Sequence, residues 1–136
     1  MGSAAQHFIA VAVMFAVLAT IVISSPNTTV ISVLCNTNQY TRGDPFTISL
    51  AYVLNDLVEN TPSSKGRDYY DISPFPNAFA YGHAACSINL NLTAADCSGC
   101  LLAAIAQLNA TCGMRIGARA ILADCSIRYE QYPFVN

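Results

Sequence analysis

The chain begins with one long apolar run, and shorter apolar segments separated by polar loops follow it. Residues 8–23 have the sequence FIAVAVMFAVLATIVI and carry no charge. A run of this length is slightly short for a membrane-spanning helix and slightly long for the core of a signal peptide. Val22 and Ser24 fit the −3 and −1 positions of a signal-peptidase site. We therefore predict a secretory signal peptide at residues 1–24, with an uncleaved anchor as the alternative.

Two later segments have the periodicity of amphipathic helices. Apolar side chains recur every three or four residues over residues 45–59 and again over residues 93–111. Asp44 is the predicted cap of the first helix, and Thr93 opens a capping-box pattern at the second. Gly113 is predicted to end the second helix as its C-cap. The first helix lacks the Lys- and Arg-rich side of a membrane-surface helix, so we assign its apolar stripe to the core.

Five segments around these helices are predicted as β-strands. They are residues 27–35, 67–72, 79–86, 117–122 and 125–134. The first of them is rich in β-branched residues, and polar or glycine-containing turns separate several of the segments. Strands and helices in this order predict an α+β domain, in which an antiparallel β-sheet packs with two α-helices.

Composition limits the partners and the compartment. The chain has 136 residues and a net charge of −2. We predict that residues 25–136 form a single domain that does not bind nucleic acid, because a phosphate-binding surface needs a basic face. Six cysteines in so short a chain are typical of disulfides formed in an oxidising compartment. They are Cys35, Cys86, Cys97, Cys100, Cys112 and Cys125. Six thiols can pair in many ways, and the residues alone do not choose among them.

Cys97 and Cys100 form a CxxC motif, for which zinc binding and redox chemistry are the alternatives to structural disulfides. Zinc would need a second closely spaced pair of ligands, whereas the other cysteines are scattered. A redox motif would begin a helix after a buried strand, whereas the polar helical run LTAAD precedes this one. We therefore predict structural disulfides and no metal. Cysteines three residues apart in a helix point the same way, so each is expected to reach a different partner.

Catalytic motifs are absent from the sequence. His83 is the only histidine after the predicted signal peptide, and no GxSxG, HExxH or phosphate-binding loop is present. We predict that the protein is not an enzyme, has no catalytic residues and needs no cofactor, although a glycosidase pair among the scattered carboxylates stays open. Asn27, Asn91 and Asn109 begin N-x-S/T sequons and are candidate glycosylation sites in an exported protein.

Charged residues stand out in the last predicted hairpin, where Arg119, Asp124, Arg128 and Glu130 lie among apolar and aromatic side chains. One interpretation is a solvated strand face with ordinary ion pairs, each of which contributes little. The other is a polar ligand site that combines a guanidinium donor with a carboxylate acceptor. This combination suits a sugar, whose neighbouring hydroxyl groups both donate and accept hydrogen bonds. If residues 123–126 form a tight turn, Arg119 lies opposite Glu130.

Motifs distributed over residues 33–134 point to one plant family. Cys86, Cys97 and Cys100 are spaced by ten and two residues, and the first gap is two residues longer than in that family. The other matching stretches are Cys35-Asn36, Tyr81-Gly82, Ile116-Gly117-Ala118-Arg119, Asp124-Cys125, Ile127, Tyr129-Glu130-Gln131 and Phe134. Together these residues resemble the ginkbilobin-homologous domain, also called the salt-stress response/antifungal domain.

The resemblance implies an antiparallel sheet packed with two helices and stapled by three disulfides. The implied pairs are Cys35–Cys112, Cys86–Cys97 and Cys100–Cys125. The resemblance also implies a mannose site made of an Asn after the first cysteine, an Arg in the GAR stretch and a Glu in the YEQ stretch. Those residues are Asn36, Arg119 and Glu130 here. The Asn36 amide is expected to supply both a donor and an acceptor, and Arg128, outside the trio, is expected to have little effect on binding.

On this resemblance we expect a secreted plant antifungal lectin that binds mannose in fungal wall glycans and inhibits fungal growth. Its expected location is the apoplast, without stable membrane insertion of the mature chain. One alternative is a secreted protein-interaction module of the same fold that has no sugar affinity. Another is an enzyme or inhibitor that acts on wall components.

Overall fold

The computed structural model describes residues 24–136, so all of the predicted signal peptide except Ser24 lies outside the described residues. Within this range the chain forms a five-stranded antiparallel sheet and two α-helices, which confirms the predicted α+β fold class. The strands are β1 (Val30–Cys35), β2 (Asp68–Ile72), β3 (Tyr81–Cys86), β4 (Gly117–Leu122) and β5 (Cys125–Glu130), and the helices are α1 (Phe46–Asn60) and α2 (Ala94–Thr111). Two short 3₁₀ turns, Thr61–Ser63 and Lys65–Arg67, lie between α1 and β2.

The strand order is β1-β4-β5-β3-β2. The β4–β5 hairpin therefore lies at the centre of the sheet, with β1 on one side and β3 followed by β2 on the other. β1 and β2 are the edge strands. Among residues 24–136 no helix is long and apolar enough to cross a membrane.

Both helices pack on the same face of the sheet and form the hydrophobic core with it. Val53 and Leu57 of α1, Leu101 and Leu108 of α2 and Ile127 of β5 are all buried. Burial of a side chain of this size contributes about 1.5–3 kcal/mol. The apolar stripe of the first predicted helix is thus part of the core.

Two of the three predicted capping residues cap their helices as expected, and the third does not. At α2, Thr93 Oγ1 accepts the Asp96 N–H (3.0 Å) and the Asp96 carboxylate accepts the Thr93 N–H (3.1 Å), which confirms the capping box. At α1, Asp44 Oδ1 accepts the N–H of the first helical residue at 2.9 Å. The prediction for Gly113 is wrong, because Cys112 is the C-cap and the left-handed residue is Met114 (φ 61°).

Three disulfides attach helix α2 to three strands. They are Cys35–Cys112, Cys86–Cys97 and Cys100–Cys125, which is the pairing that the family resemblance implies. The two cysteines of the CxxC motif indeed reach different partners, one on β3 and one on β5. The helix is therefore held along its whole length, from its first turn to its C-cap.

Four strands are shorter than predicted: β1 begins at Val30, β2 at Asp68 and β3 at Tyr81, and β5 ends at Glu130. The largest differences are at β1 and β5. Before β1, Asn27 Oδ1 accepts the N–H (3.1 Å) and the hydroxyl (2.7 Å) of Thr29, which makes a turn where a strand was expected. After β5, the chain bends back over the sheet instead of extending to Phe134. The Phe134 ring there packs against the Arg128 guanidinium at 4.1 Å.

Candidate functional site

Alternate residues of every strand face away from both helices, and we call this side of the sheet the helix-free face. One row of this face crosses all five strands in register. It consists of Leu34, Arg119, Arg128, His83 and Tyr70. The row thus brings two guanidinium groups onto neighbouring central strands.

A pocket of about 320 Å³ opens on the helix-free face beside the two arginines. Its lining residues are Leu34, Cys35, Asn36, Ala118, Arg119, Arg128, Glu130 and Tyr132. Asn36, Arg119 and Glu130, which the sequence proposes as one site, therefore line the same pocket. They come from the end of β1, the middle of β4 and the end of β5.

The predicted pairing of Arg119 with Glu130 is wrong. The turn between β4 and β5 contains only Ala123 and Asp124, so the register places Arg119 opposite Arg128 and Gly117 opposite Glu130. Arg119 and Glu130 instead lie diagonally across the hairpin. Long side chains on such diagonal positions still reach a common space, which is why both line the pocket.

Glu130 is the most buried charged residue of the pocket, with 7% of its surface exposed. Its Oε1 accepts from Arg128 Nε at 3.3 Å, and its Oε2 is buried without a hydrogen-bond partner among the described residues. Gly117 leaves the space that this carboxylate fills, because a Cβ at position 117 would collide with it. Glu130 thus lines the pocket and has one carboxylate oxygen without a hydrogen-bond partner among the described residues.

Arg119 is half-buried, and its Nε atom is buried without a hydrogen-bond partner. Within residues 24–136 no carboxylate forms an ion pair with it. Its guanidinium group therefore has unused donors in a fixed planar arrangement, which is the geometry that binds vicinal oxygen atoms well.

Arg128, which the sequence analysis places outside the trio, lines the same pocket. It pairs with Glu130, donates to Asn136 Oδ1 at 3.1 Å and lies over the Phe134 ring. Arg128 thereby fixes the Glu130 carboxylate on one side and the C-terminal segment on the other. The two-residue periodicity of a strand places Arg128 and Glu130 on the same face, and this signal was available in the sequence.

The Asn36 side chain has fewer free hydrogen-bonding groups than its amide suggests. Its backbone N–H donates to the Gly117 carbonyl at 2.8 Å, and its Oδ1 accepts the Asn38 N–H at 2.9 Å. The Nδ2 group makes no hydrogen bond within the described part of the chain. Asn36 is therefore oriented by its own turn and presents mainly a donor, rather than the expected donor and acceptor together.

The other candidate groups have structural surroundings. His83 is 5% exposed, lies 2.8 Å from Asp68 Oδ1 through Nε2 and stacks on Tyr70 at 4.1 Å. All six cysteines are in disulfides. Among residues 24–136 no group of three His, Cys, Asp or Glu side chains is placed to hold a metal ion. The three sequon residues Asn27, Asn91 and Asn109 are exposed.

Comparison with known proteins identifies relatives over most of the chain. The sequence model of a family described as salt stress response/antifungal matches residues 34–132. The chain is 38% identical over 113 residues to antifungal protein ginkbilobin-like protein 1 of Picea glauca, which covers 82% of this chain and 78% of that protein. It is 36% identical over 116 residues to antifungal protein ginkbilobin-2 of Ginkgo biloba, which covers 84% of each.

A solved structure with the same fold is the tandem DUF26 ectodomain of the Arabidopsis thaliana cysteine-rich receptor-like protein PDLP5. The TM-score is 0.69 at 23% sequence identity, and the match covers 79% of this chain. The chain spans about half of that ectodomain, 52% of its length. At this identity the likeness concerns the fold alone.

Proposed function

Because the chain belongs to the salt stress response/antifungal family, we propose that it is a secreted antifungal lectin whose pocket binds mannose. The observation that carries the proposal is the convergence of Asn36, Arg119 and Glu130 on one pocket of the helix-free face. The Picea and Ginkgo relatives are named antifungal proteins, which supports fungal growth inhibition as the outcome of binding. The expected ligand is mannose in fungal wall glycans.

The free hydrogen-bonding groups of the pocket match the hydroxyl groups of a pyranose. Arg119 and the Asn36 Nδ2 group donate, and Glu130 Oε2 accepts. The exposed Tyr132 ring at the rim offers an apolar surface for the face of the sugar. Hydrogen bonds to charged groups contribute about 1.5–3 kcal/mol each. With so few contacts we expect a dissociation constant on the order of 0.1–1 mM, so that useful binding to a mannan depends on several sites.

Export through the secretory pathway is part of the proposal. The apolar run at residues 8–23 supports a signal peptide at residues 1–24, followed by the domain at residues 25–136. The three disulfides support an oxidising compartment. The proposed location is the apoplast, and N-terminal sequencing of the secreted protein that finds a start near Ser25 would support it.

A protein-interaction module without sugar affinity is the second candidate. It is favoured by the edge strand β1, whose Ile31 and Leu34 side chains are 65% and 62% exposed. An edge strand with apolar side chains can pair with an extended segment of another protein. The fold similarity to a receptor-like ectodomain is compatible with this function.

Titration of methyl α-mannoside, followed by NMR or calorimetry, separates the two candidates. We expect Arg119→Ala to weaken binding by about tenfold or more, and Arg119→Lys not to restore it, because lysine lacks the planar fork of donors. Arg42→Ala is the matched control, since Arg42 is exposed and lies outside the pocket. Equal affinity of the folded wild type and Arg119→Ala would end the proposal that this trio is the site.

The antifungal part of the proposal needs its own measurement. Growth of a susceptible fungus should be inhibited by the wild-type protein, and added soluble mannan should relieve the inhibition by competition. Arg119→Ala should inhibit less at equal concentration, whereas Arg42→Ala should act like the wild type. Inhibition that is insensitive to mannan and to Arg119→Ala would favour the protein-interaction module.

A further inference from the structure

The charges in the pocket do not balance. Two guanidinium groups, Arg119 and Arg128, line it together with the single carboxylate of Glu130. Arg128 pairs with Glu130 at 3.3 Å, which leaves Arg119 without an opposite charge among the described residues. The pocket thus carries a formal charge of about +1 at neutral pH, although the chain as a whole has a net charge of −2.

The neighbours of Arg119 increase this imbalance. In the sheet Arg119 has Leu34 as its partner on β1 and Arg128 as its partner on β5. One cross-strand neighbour is therefore apolar, and the other has the same charge. A partly buried guanidinium in these surroundings lacks the anion that normally accompanies it.

The free groups of the pocket indicate which ligand would complement them. The planar fork of Arg119 matches a carboxylate, which it can bind through two parallel hydrogen bonds. One negative charge neutralises the pocket, whereas a doubly charged phosphate would be repelled by Glu130. Glu130 Oε2 still needs a hydroxyl donor, and the Asn36 Nδ2 group needs an acceptor. A simple carboxylic acid does not supply these hydroxyl groups.

From this arrangement we infer that the pocket prefers a uronic acid, a sugar that carries one carboxylate, over the corresponding neutral hexose. The inference rests on the proposed saccharide-binding function of the same pocket and names a narrower class of ligand for it. In this geometry the sugar carboxylate pairs with Arg119, and ring hydroxyl groups bond to Glu130 and Asn36.

Matched pairs of sugars test the preference on the purified protein. The methyl glycoside of mannuronic acid carries a free carboxylate at C6 where methyl mannoside carries a hydroxymethyl group, and galacturonate and galactose differ in the same way. Acetate serves as the carboxylate without a sugar. In low salt we expect each uronate to bind about tenfold more tightly than its neutral partner. This advantage should shrink as salt is added, because salt screens the charge pair, while binding of the neutral sugars should not change.

Two substitutions that each remove one charge from the pocket test which residue causes the uronate preference. Arg119→Gln should abolish the difference between mannuronate and mannoside, and the matched Arg42→Gln substitution should preserve it. Glu130→Gln should weaken mannoside binding, because the amide is a poorer acceptor, while the ratio of uronate to neutral sugar should rise. A preserved uronate advantage in folded Arg119→Gln protein would overturn the assignment to Arg119.

The outcomes separate this inference from the proposed mannose function. Equal affinities within each sugar pair overturn the uronate preference and leave mannose binding in place. Binding of mannuronate without measurable mannoside binding supports the uronate preference and contradicts the proposal that neutral mannose is the ligand. Acetate that binds as tightly as the uronates contradicts the need for a sugar. Absence of binding by every sugar overturns both.

Discussion

The carboxylate of Glu130 lies directly over Gly117, its cross-strand partner on β4. A Cβ atom at position 117 would occupy the same space as this carboxylate, so only glycine accommodates the observed Glu130 side chain. The orientation of Glu130 on β5 thus depends on the absence of a side chain at position 117 on β4. Gly117, two residues before Arg119, thus leaves room for one of the long polar side chains that line the pocket.

Gly117→Ala should therefore impair binding without changing any polar group of the pocket. The added methyl group forces the Glu130 carboxylate away, and we expect affinity for methyl mannoside to fall about tenfold, as for the loss of one charged hydrogen bond. Gly99→Ala is the control, because its Cβ would meet only Pro26 Cγ at 3.8 Å in ordinary contact. NMR titration of both folded variants measures the difference. Unchanged affinity in Gly117→Ala would show that Glu130 does not need its observed position.

Arg128→Ala should also weaken binding, although the sequence suggests that this residue is nearly silent. The substitution removes the ion pair that holds Glu130 and leaves the buried carboxylate without its cation. It also removes the contacts with Phe134 and Asn136. We expect a loss of affinity of about three- to tenfold and faster amide hydrogen exchange at residues 131–136.

The comparison that decides this prediction is Arg128→Ala against Arg42→Ala, which removes an exposed arginine. Arg128→Lys should recover little, because the contact with the aromatic ring and the bond to Glu130 use the planar guanidinium. If Arg128→Ala titrates like Arg42→Ala, the ion pair has no part in positioning Glu130.

Sequence patterns predict most of this fold, because burial repeats with the period of each element. The apolar spacing around Val53 and Leu57 gives α1, and the Thr93 capping box gives the start of α2. What the patterns miss depends on single turns. The turn that begins at Ala123 has two residues, whereas the sequence analysis allows it four. This difference alone places Arg128 opposite Arg119, where Glu130 was expected.

The family resemblance predicts that Asn36, Arg119 and Glu130 lie together, whereas it does not predict their charge environment. Asn36, Arg119 and Glu130 line one pocket as a group. The role of Arg128 depends on the way the C-terminal segment bends back over the sheet, where Asn136 bonds to Arg128 and to His83 Nδ1 (2.7 Å). Such a contact between distant side chains has no local sequence signal.

The disulfides should contribute unequally to stability. Cys35–Cys112 closes a sequence separation of 77 residues, whereas Cys86–Cys97 closes one of 11. The chain-entropy estimate is about 4–5 kcal/mol for the first and about 3 kcal/mol for the second. The Cys35→Ala/Cys112→Ala double variant should therefore unfold at a lower denaturant concentration than Cys86→Ala/Cys97→Ala. Equal midpoints in chemical denaturation would contradict this ranking.

Asp71 should make the domain less stable as the pH rises. Burial, together with the neighbouring Asp56 carboxylate, raises the pKa of Asp71 from 3.8 to about 6. Because the folded-state pKa is above the unfolded value, the contribution of Asp71 to stability is fully present below pH 3.8 and is lost as the pH rises through about 6. Asp71→Asn should therefore increase the free energy of unfolding relative to wild type at pH 7.5 but not at pH 4. Glu59→Gln, which alters an exposed carboxylate on α1, should show no such pH-dependent difference. Chemical denaturation of the three proteins at both pH values checks the sign, and a wild-type protein that gains stability relative to Asp71→Asn between pH 4 and 7.5 would contradict it.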